Sequence, residues 1–198
     1  MYDYSQKTQQ SGLYIQDQMA LDNWRLTLGG REDWVHTGTT FHNQNDATNT
    51  QRDKSFSGNA ALSYVFDNGI TPYLSYAESF QAGSGTQVLS TGAFKPTEGK
   101  QYEAGIKYQP PGTKALLTAA VFDLTQTNTS VTEGGITRQV GEVRVRGLEL
   151  EASADVTESL KLVGSYTYND SEITKGTAEE KGNRMNQVPR NQATAWAD

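Results

Sequence analysis

Apolar residues recur at every second position through much of the chain, the period of a strand with one face in an apolar medium. After a polar lead at 2–11, the first strand is read at 12–21, where Leu13, Ile15, Met19 and Leu21 share one parity, with Asp17 as the polar exception, and Asp22-Asn23 follows as a tight turn. In 24–35, Trp24, Leu26, Leu28 and Trp34 alternate with Arg25, Thr27, Arg31 and Asp33. One face can meet lipid while the other carries charge, the pattern of a barrel wall around a lumen.

The strongest local signal lies in 58–80, where two strand-like arms meet at Asp67-Asn68-Gly69. Asn and Gly both tolerate positive φ, so the dipeptide predicts a tight primed hairpin turn. On the first arm Phe56, Ala60, Leu62, Tyr64 and Phe66 share a parity; on the second, Leu74, Tyr76 and Phe80 do. These arms run about ten residues or more, whereas strands of ordinary soluble domains more often have about five or six.

The pattern continues. In 100–109, Tyr102, Ala104, Ile106 and Tyr108 oppose Glu103, Gly105 and Lys107. Pro110-Pro111-Gly112 closes that run, because proline cannot donate to a ladder and glycine permits the turn. In 115–125, Leu116, Ala120, Phe122 and Leu124 fall on one parity. In 142–155, Leu148, Leu150, Ala152 and Ala154 face away from Glu149, Glu151 and Ser153. Leu160, Leu162, Tyr166 and Tyr168 alternate in 160–169, and 191–198 starts one more strand.

The connections alternate in length: short at 22–23, 68–69, 110–114 and 156–159, long at 36–54, 81–99, 126–141 and 170–190. Short turns at one rim and long loops at the other predict an all-β, antiparallel, up-and-down transmembrane β-barrel with turns in the periplasm and loops outside. About nine strands make an incomplete arc, since single-chain bacterial barrels have an even number. Tyr64, Phe66, Tyr73, Tyr76 and Tyr108 lie near short turns and Trp34 and Phe80 near long loops, as interfacial girdles require. Aromatics favour any strand, so this pattern alone is not decisive.

Composition changes the picture in two respects. Only 35% of the 198 residues are hydrophobic and mean hydropathy is -0.67, with no run near the roughly twenty apolar residues of a membrane helix. Barrel strands dilute every hydropathy window, so the average does not argue against them. The net charge of -6 argues against nucleic acid. No cysteine is present, which removes disulfides and thiolate metal sites. Met1 is not followed by a basic stretch and an apolar run, so no secretory signal is read there, and export would make the sequence a fragment.

The segments GLYIQDQMALDNWRLTLGGREDW, LSYVFDNGITPYLSYAESF, KPTEGKQYEAGIKY, VFDLTQTN, VRVRGLELEASA and VGSYTYNDSEI, in this order, resemble the barrel of TonB-dependent siderophore receptors. The resemblance is closest to the ferrichrome and ferrioxamine type and covers nearly the whole chain from Gly12. It implies a barrel of about 22 strands around a plug, in the outer membrane of a Gram-negative bacterium, importing a ferric siderophore, hydroxamate type favoured, with energy from the TonB complex. On that reading 1–198 is a partial barrel domain, without plug domain, signal peptide or C-terminal strands.

Candidate chemistry is sparse. His36 and His42, near Asp33 and Asp46, fall short of the three or four convergent ligands of a metal site. In the family the siderophore wraps the iron, so no cofactor or protein-bound metal is expected. Arg31, Asp33, Glu103, Lys107, Glu149 and Glu151 are assigned to the lumen wall, pairing with one another and with a plug. Arg144 and Arg146 share a parity with Leu148, so both are expected above the membrane, where arginine on the lipid side costs little. No nucleophile elbow, phosphate loop or metalloprotease helix occurs, so no enzyme is read. The family grips its ligand with aromatic and polar groups at the outer mouth; Trp34, Phe41, Phe80 and Phe94 are the candidates. Two other classes stay open: an outer-membrane adhesin or autotransporter barrel, and a soluble carbohydrate-binding β-sandwich.

Overall fold

The computed structural model describes residues 4–42, 47–83, 94–133, 136–186 and 188–198. They form one antiparallel sheet in sequence order: β1 (Tyr4–Leu21), β2 (Trp24–Phe41), β3 (Ala47–Tyr64), β4 (Ile70–Gln81), β5 (Thr97–Tyr108), β6 (Ala115–Glu133), β7 (Ile136–Thr157), β8 (Leu160–Lys175) and β9 (Asn191–Ala197). Every strand pairs with its chain neighbour, the up-and-down order expected of a barrel wall.

Register fixes the two faces. Leu21, Trp24 and Tyr64 lie side by side, as do Leu62, Leu74 and Ala104, then Val121, Leu148 and Tyr168. This is the lipid face. Near the short turns it carries a cluster in which the Trp24 and Tyr64 rings are 4.9 Å apart and those of Tyr64 and Phe66 4.7 Å. Toward the long loops the apolar band ends in outward ion pairs, Lys54 with Glu32 at 3.3 Å and Lys100 with Glu78 at 3.5 Å. Arg144 and Arg146 lie beyond Leu148 on this face, and both pair with Asp123.

Four expectations are corrected. Residues 36–54 and 126–141 are not long loops: β2 and β3 pair up to Phe41 and Ala47, and β6 and β7 up to Glu133 and Ile136. The segment before Gly12 is strand as well, paired as far as Tyr4 with Phe41. Outside the bilayer both faces of a hairpin meet water, so the ladder persists without apolar alternation to announce it. In 115–125 the outward parity is Leu117, Ala119 and Val121, while Leu116, Ala120, Phe122 and Leu124 turn inward.

The fourth correction concerns the turn. Gly69 has φ of 86°, and Asn68 is not among the positive-φ residues. Gly69 N donates to Phe66 O at 3.0 Å and Phe66 N to Ile70 O at 2.9 Å. This is the three-residue loop with a glycine in the left-handed region, in place of a primed two-residue turn. At 22–23 the positive φ of 48° falls on Asp22, which tolerates it.

A buried cluster sits at the long-loop end of the sheet, beside the register shift between β7 and β8 at Glu142 and Val143. Val140, Val143 and Ile173 pack together with Val145 and Met185. Met185 belongs to the β8–β9 connection, which folds back onto β8: Gly182 N donates to Ile173 O and Ile173 N to Asn183 O. At membrane level the sheet is a single layer, with lipid on one side and the lumen on the other.

Candidate ligand-facing wall

Strand pleating puts alternate residues on opposite faces. The pairing register therefore places Arg31 and Asp33 of β2, Glu103 and Lys107 of β5, and Glu149 and Glu151 of β7 together on the inner face. They form two groups.

The upper group centres on Asp33, only 2% exposed. It accepts Arg31 Nε at 2.6 Å, the second Arg31 nitrogen at 2.8 Å and Gln10 Nε2 at 2.8 Å. A fork of two parallel N–H···O bonds fixes the guanidinium in place. Gly12 leaves room for it, since a Cβ there would lie 2.4 Å from the guanidinium.

The lower group is acidic. Tyr73 donates its hydroxyl to Glu103 Oε1 at 2.6 Å, and Gln101 Nε2 donates to Glu103 Oε2 at 3.0 Å. The Tyr73 ring lies over Gly105, and Lys107 Nζ stands 5.2 Å from its centre. Beside it, Phe122 lies over Gly147. Glu149 and Glu151 form no ion pair among the described residues. Their strand thus offers unpaired acceptors to whatever fills the lumen.

The four candidate aromatics are not brought together on one surface. Phe41 is on the inner parity, 6.3 Å from the Tyr4 ring. Phe94 is 4% exposed, and its carbonyl accepts Gln51 Nε2 at 3.1 Å. The following residues are stitched to the β6–β7 hairpin, with Gln139 bonded to both the N–H and carbonyl of Lys95 and Asn128 Nδ2 to Pro96 O. Trp34 and Phe80 share the outward parity of Leu28 and Leu74, and Lys54 Nζ stands 5.9 Å from the Trp34 ring. Sequence reasoning passed over Tyr14, an aromatic that faces inward opposite Arg31 and is 72% exposed. Its parity with Gln16 and Gln18 and against Leu13 and Ile15 carried the signal.

His36 faces outward, and His42 lies 3.2 Å from Ser5 Oγ. Asp46 lies outside the described residues. Among the described residues no group of three or more His, Cys, Asp or Glu converges as a metal site.

The family model "TonB dependent receptor-like, beta-barrel" matches residues 1–198. The chain belongs to the TonB-dependent receptors. It is 43% identical over its full length to the ferrichrome outer membrane transporter/phage receptor of Escherichia coli (strain K12), of which it covers 26%. It is 41% identical over 96% of its length to the ferrioxamine B receptor of Salmonella typhimurium (strain SL1344), covering 27% of it. The receptor chain thus spans about a quarter of the length of these relatives. The crystal structure of the siderophore receptor PiuA from Acinetobacter baumannii superposes with a TM-score of 0.81 at 27% identity, over 98% of this chain and 31% of PiuA. The ferric citrate transporter FecA, at 20% identity and a TM-score of 0.76 over 100% of this chain and 31% of FecA, shares the fold. These relatives are named transporters and receptors, and the receptor chain is a segment of an outer-membrane barrel wall.

Proposed function

We propose that this receptor imports a ferric siderophore, of the hydroxamate class, and that the chain supplies part of its lumen wall and outer mouth. The observation that carries this reading is the full-length similarity to ferrichrome and ferrioxamine B receptors on a sheet whose polar inner face is built as a lumen. The iron travels inside the siderophore, so the wall needs no protein ligand for it. Tyr14 and Phe41, both on the inner face, are better placed for contact than Trp34 and Phe80, which share the lipid-side parity. Phe94, buried and with its carbonyl held by Gln51 of β3, serves the mouth as packing. Glu149 and Glu151 face a basic surface of a plug domain, and the TonB complex drives transport through that plug.

Titration of the purified full-length receptor in detergent with ferric hydroxamate, ferric catecholate and ferric citrate, followed by intrinsic fluorescence quenching, tests this. Saturable quenching by the hydroxamate complex alone supports the reading. Saturation by another class alone replaces the substrate, and none by any class removes siderophores from the account.

A further inference from the structure

Among the described residues of the lipid face, Asp17 stands out. Asp17 lies in the middle of the outward apolar series of β1, between Leu13 and Ile15 on one side and Met19 and Leu21 on the other. Directly across on β2 is Leu28, and the diagonal positions are Gly30 and Leu26. None of these side chains carries a donor. The nearby cations Arg25 and Arg31 are on the opposite face. Among the described residues the Asp17 carboxyl group has neither hydrogen bond nor ion pair.

A polar group facing hydrocarbon without a partner is costly, and ionisable residues in membrane segments pair with one another as a rule. β1 is also the edge of the sheet, so one side of its backbone from Tyr4 to Leu21 has no ladder partner in the nine strands. Unpaired backbone groups within the hydrocarbon are not tolerated, and nine strands in an open sheet do not close a barrel. Both deficits belong to the same strand, and a neighbour on its free edge can answer both.

Resting on the barrel reading, we propose that a further strand of the same barrel pairs with the free edge of β1 and presents an outward Lys or Arg opposite Asp17. Side chains directly opposed in neighbouring strands have Cβ atoms about 5 Å apart, which suits an ion pair. A cation answers both carboxylate oxygens, whereas a hydroxyl or amide donor leaves the charge uncompensated. The pair fixes the register of the β1 seam, because a slip of one residue would turn Asp17 and its partner to opposite faces.

The test uses the full-length receptor in outer membranes and reads the temperature at which the folded, heat-modifiable barrel is lost on gel electrophoresis. Asp17→Leu is expected to lower this temperature by several degrees, because it strands the cation in lipid. Replacing the outward Lys or Arg of the adjoining strand by Met in the Asp17→Leu background is expected to restore it. If Asp17→Leu alone prevents folding, the double variant still decides, since recovery of a folded barrel supports the pair and continued failure overturns it. An Asp17→Leu barrel as stable as the parent, or more stable, also overturns it, for that is how an unpaired lipid-facing carboxyl behaves. The proposed transport function fails separately, by loss of siderophore binding in a barrel whose seam is intact.

Discussion

Gln109 donates its backbone N–H to the carbonyl of Gly69 at 2.9 Å, joining two successive short turns. A Cβ on Gly69 would lie 2.0 Å from the Gln109 carbonyl oxygen, and φ there is 86°. Conformation and contact both demand glycine. Gly69→Ala is expected to destabilise the barrel by about 2 kcal/mol or more, from left-handed strain and displacement of the neighbouring turn. Asn68→Ala loses only the bond from Ile70 N to Asn68 Oδ1, worth about 1 kcal/mol. Urea unfolding of the two variants in lipid vesicles should rank them in that order.

Two inner-wall glycines separate by what surrounds them. The three atoms nearest a Cβ on Gly105 would all belong to the far end of Tyr73, at 2.6 Å, and that side chain can move at the cost of its bond to Glu103. A Cβ on Gly147 would lie 2.4 Å from both the Phe122 ring and the Tyr168 carbonyl, and the latter is backbone. Gly147→Ala should therefore cost about 1–3 kcal/mol, the usual range for overpacking, and Gly105→Ala less. The same unfolding measurement compares them, and equal losses would argue against this packing.

Acid should loosen the outer end of the β7–β8 hairpin. Glu142 accepts Lys175 Nζ at 2.7 Å and Thr174 Oγ1 at 2.8 Å. The Lys175 bond first, then that of Thr174, holds its carboxyl below the ordinary value of 4.5. A depressed folded value stabilises the hairpin fully above the ordinary carboxylate range, and the benefit disappears as pH falls through the folded value. Hydrogen exchange of the β7 and β8 amides near Glu142 should accelerate below about pH 4.5. Glu142→Gln should flatten that dependence.

The outward pairs of Asp123 with Arg144 and Arg146 should couple measurably and weaken with salt. Arg144 Nε is 2.7 Å from Asp123 Oδ1, and Arg146 Nε 3.4 Å from Oδ2. All three side chains are partly open to solvent, where ion pairs are screened. A double-mutant cycle with Asp123→Asn and Arg144→Gln, read by unfolding at low and high salt, should give a favourable coupling that shrinks as salt rises.

The legible parts of this fold are those that lipid disciplines. Leu62, Leu74 and Ile106 announce their face because hydrocarbon on one side and a polar lumen on the other impose a period of two. Residues 36–41 and 47–54 are the same two strands continued into water, where Thr, Asn and Gln occupy both parities and the pattern vanishes. On β6 alternation picked out Leu116, Ala120, Phe122 and Leu124, although Leu117, Ala119 and Val121 occupy the other parity, and only the pairing shows that Phe122 turns inward to cover Gly147. Six wall charges could be assigned from alternation, yet Tyr14 was missed because an aromatic beside Leu13 and Ile15 looks like one more lipid contact. The choice of partner for a charge was not legible at all: Asp123 and Arg144 are 21 positions apart in sequence and meet only through the β6–β7 register.

The proposed import of a ferric siderophore through a TonB-dependent barrel is a property of the full-length receptor in its cell. Its most direct test is growth under iron limitation of a strain with the full-length gene deleted, and of the same strain with the gene restored, on a panel of purified siderophores. Loss of growth on a ferric hydroxamate, restored with the gene and dependent on TonB, is the predicted result. Unchanged growth on every siderophore in the panel would contradict it.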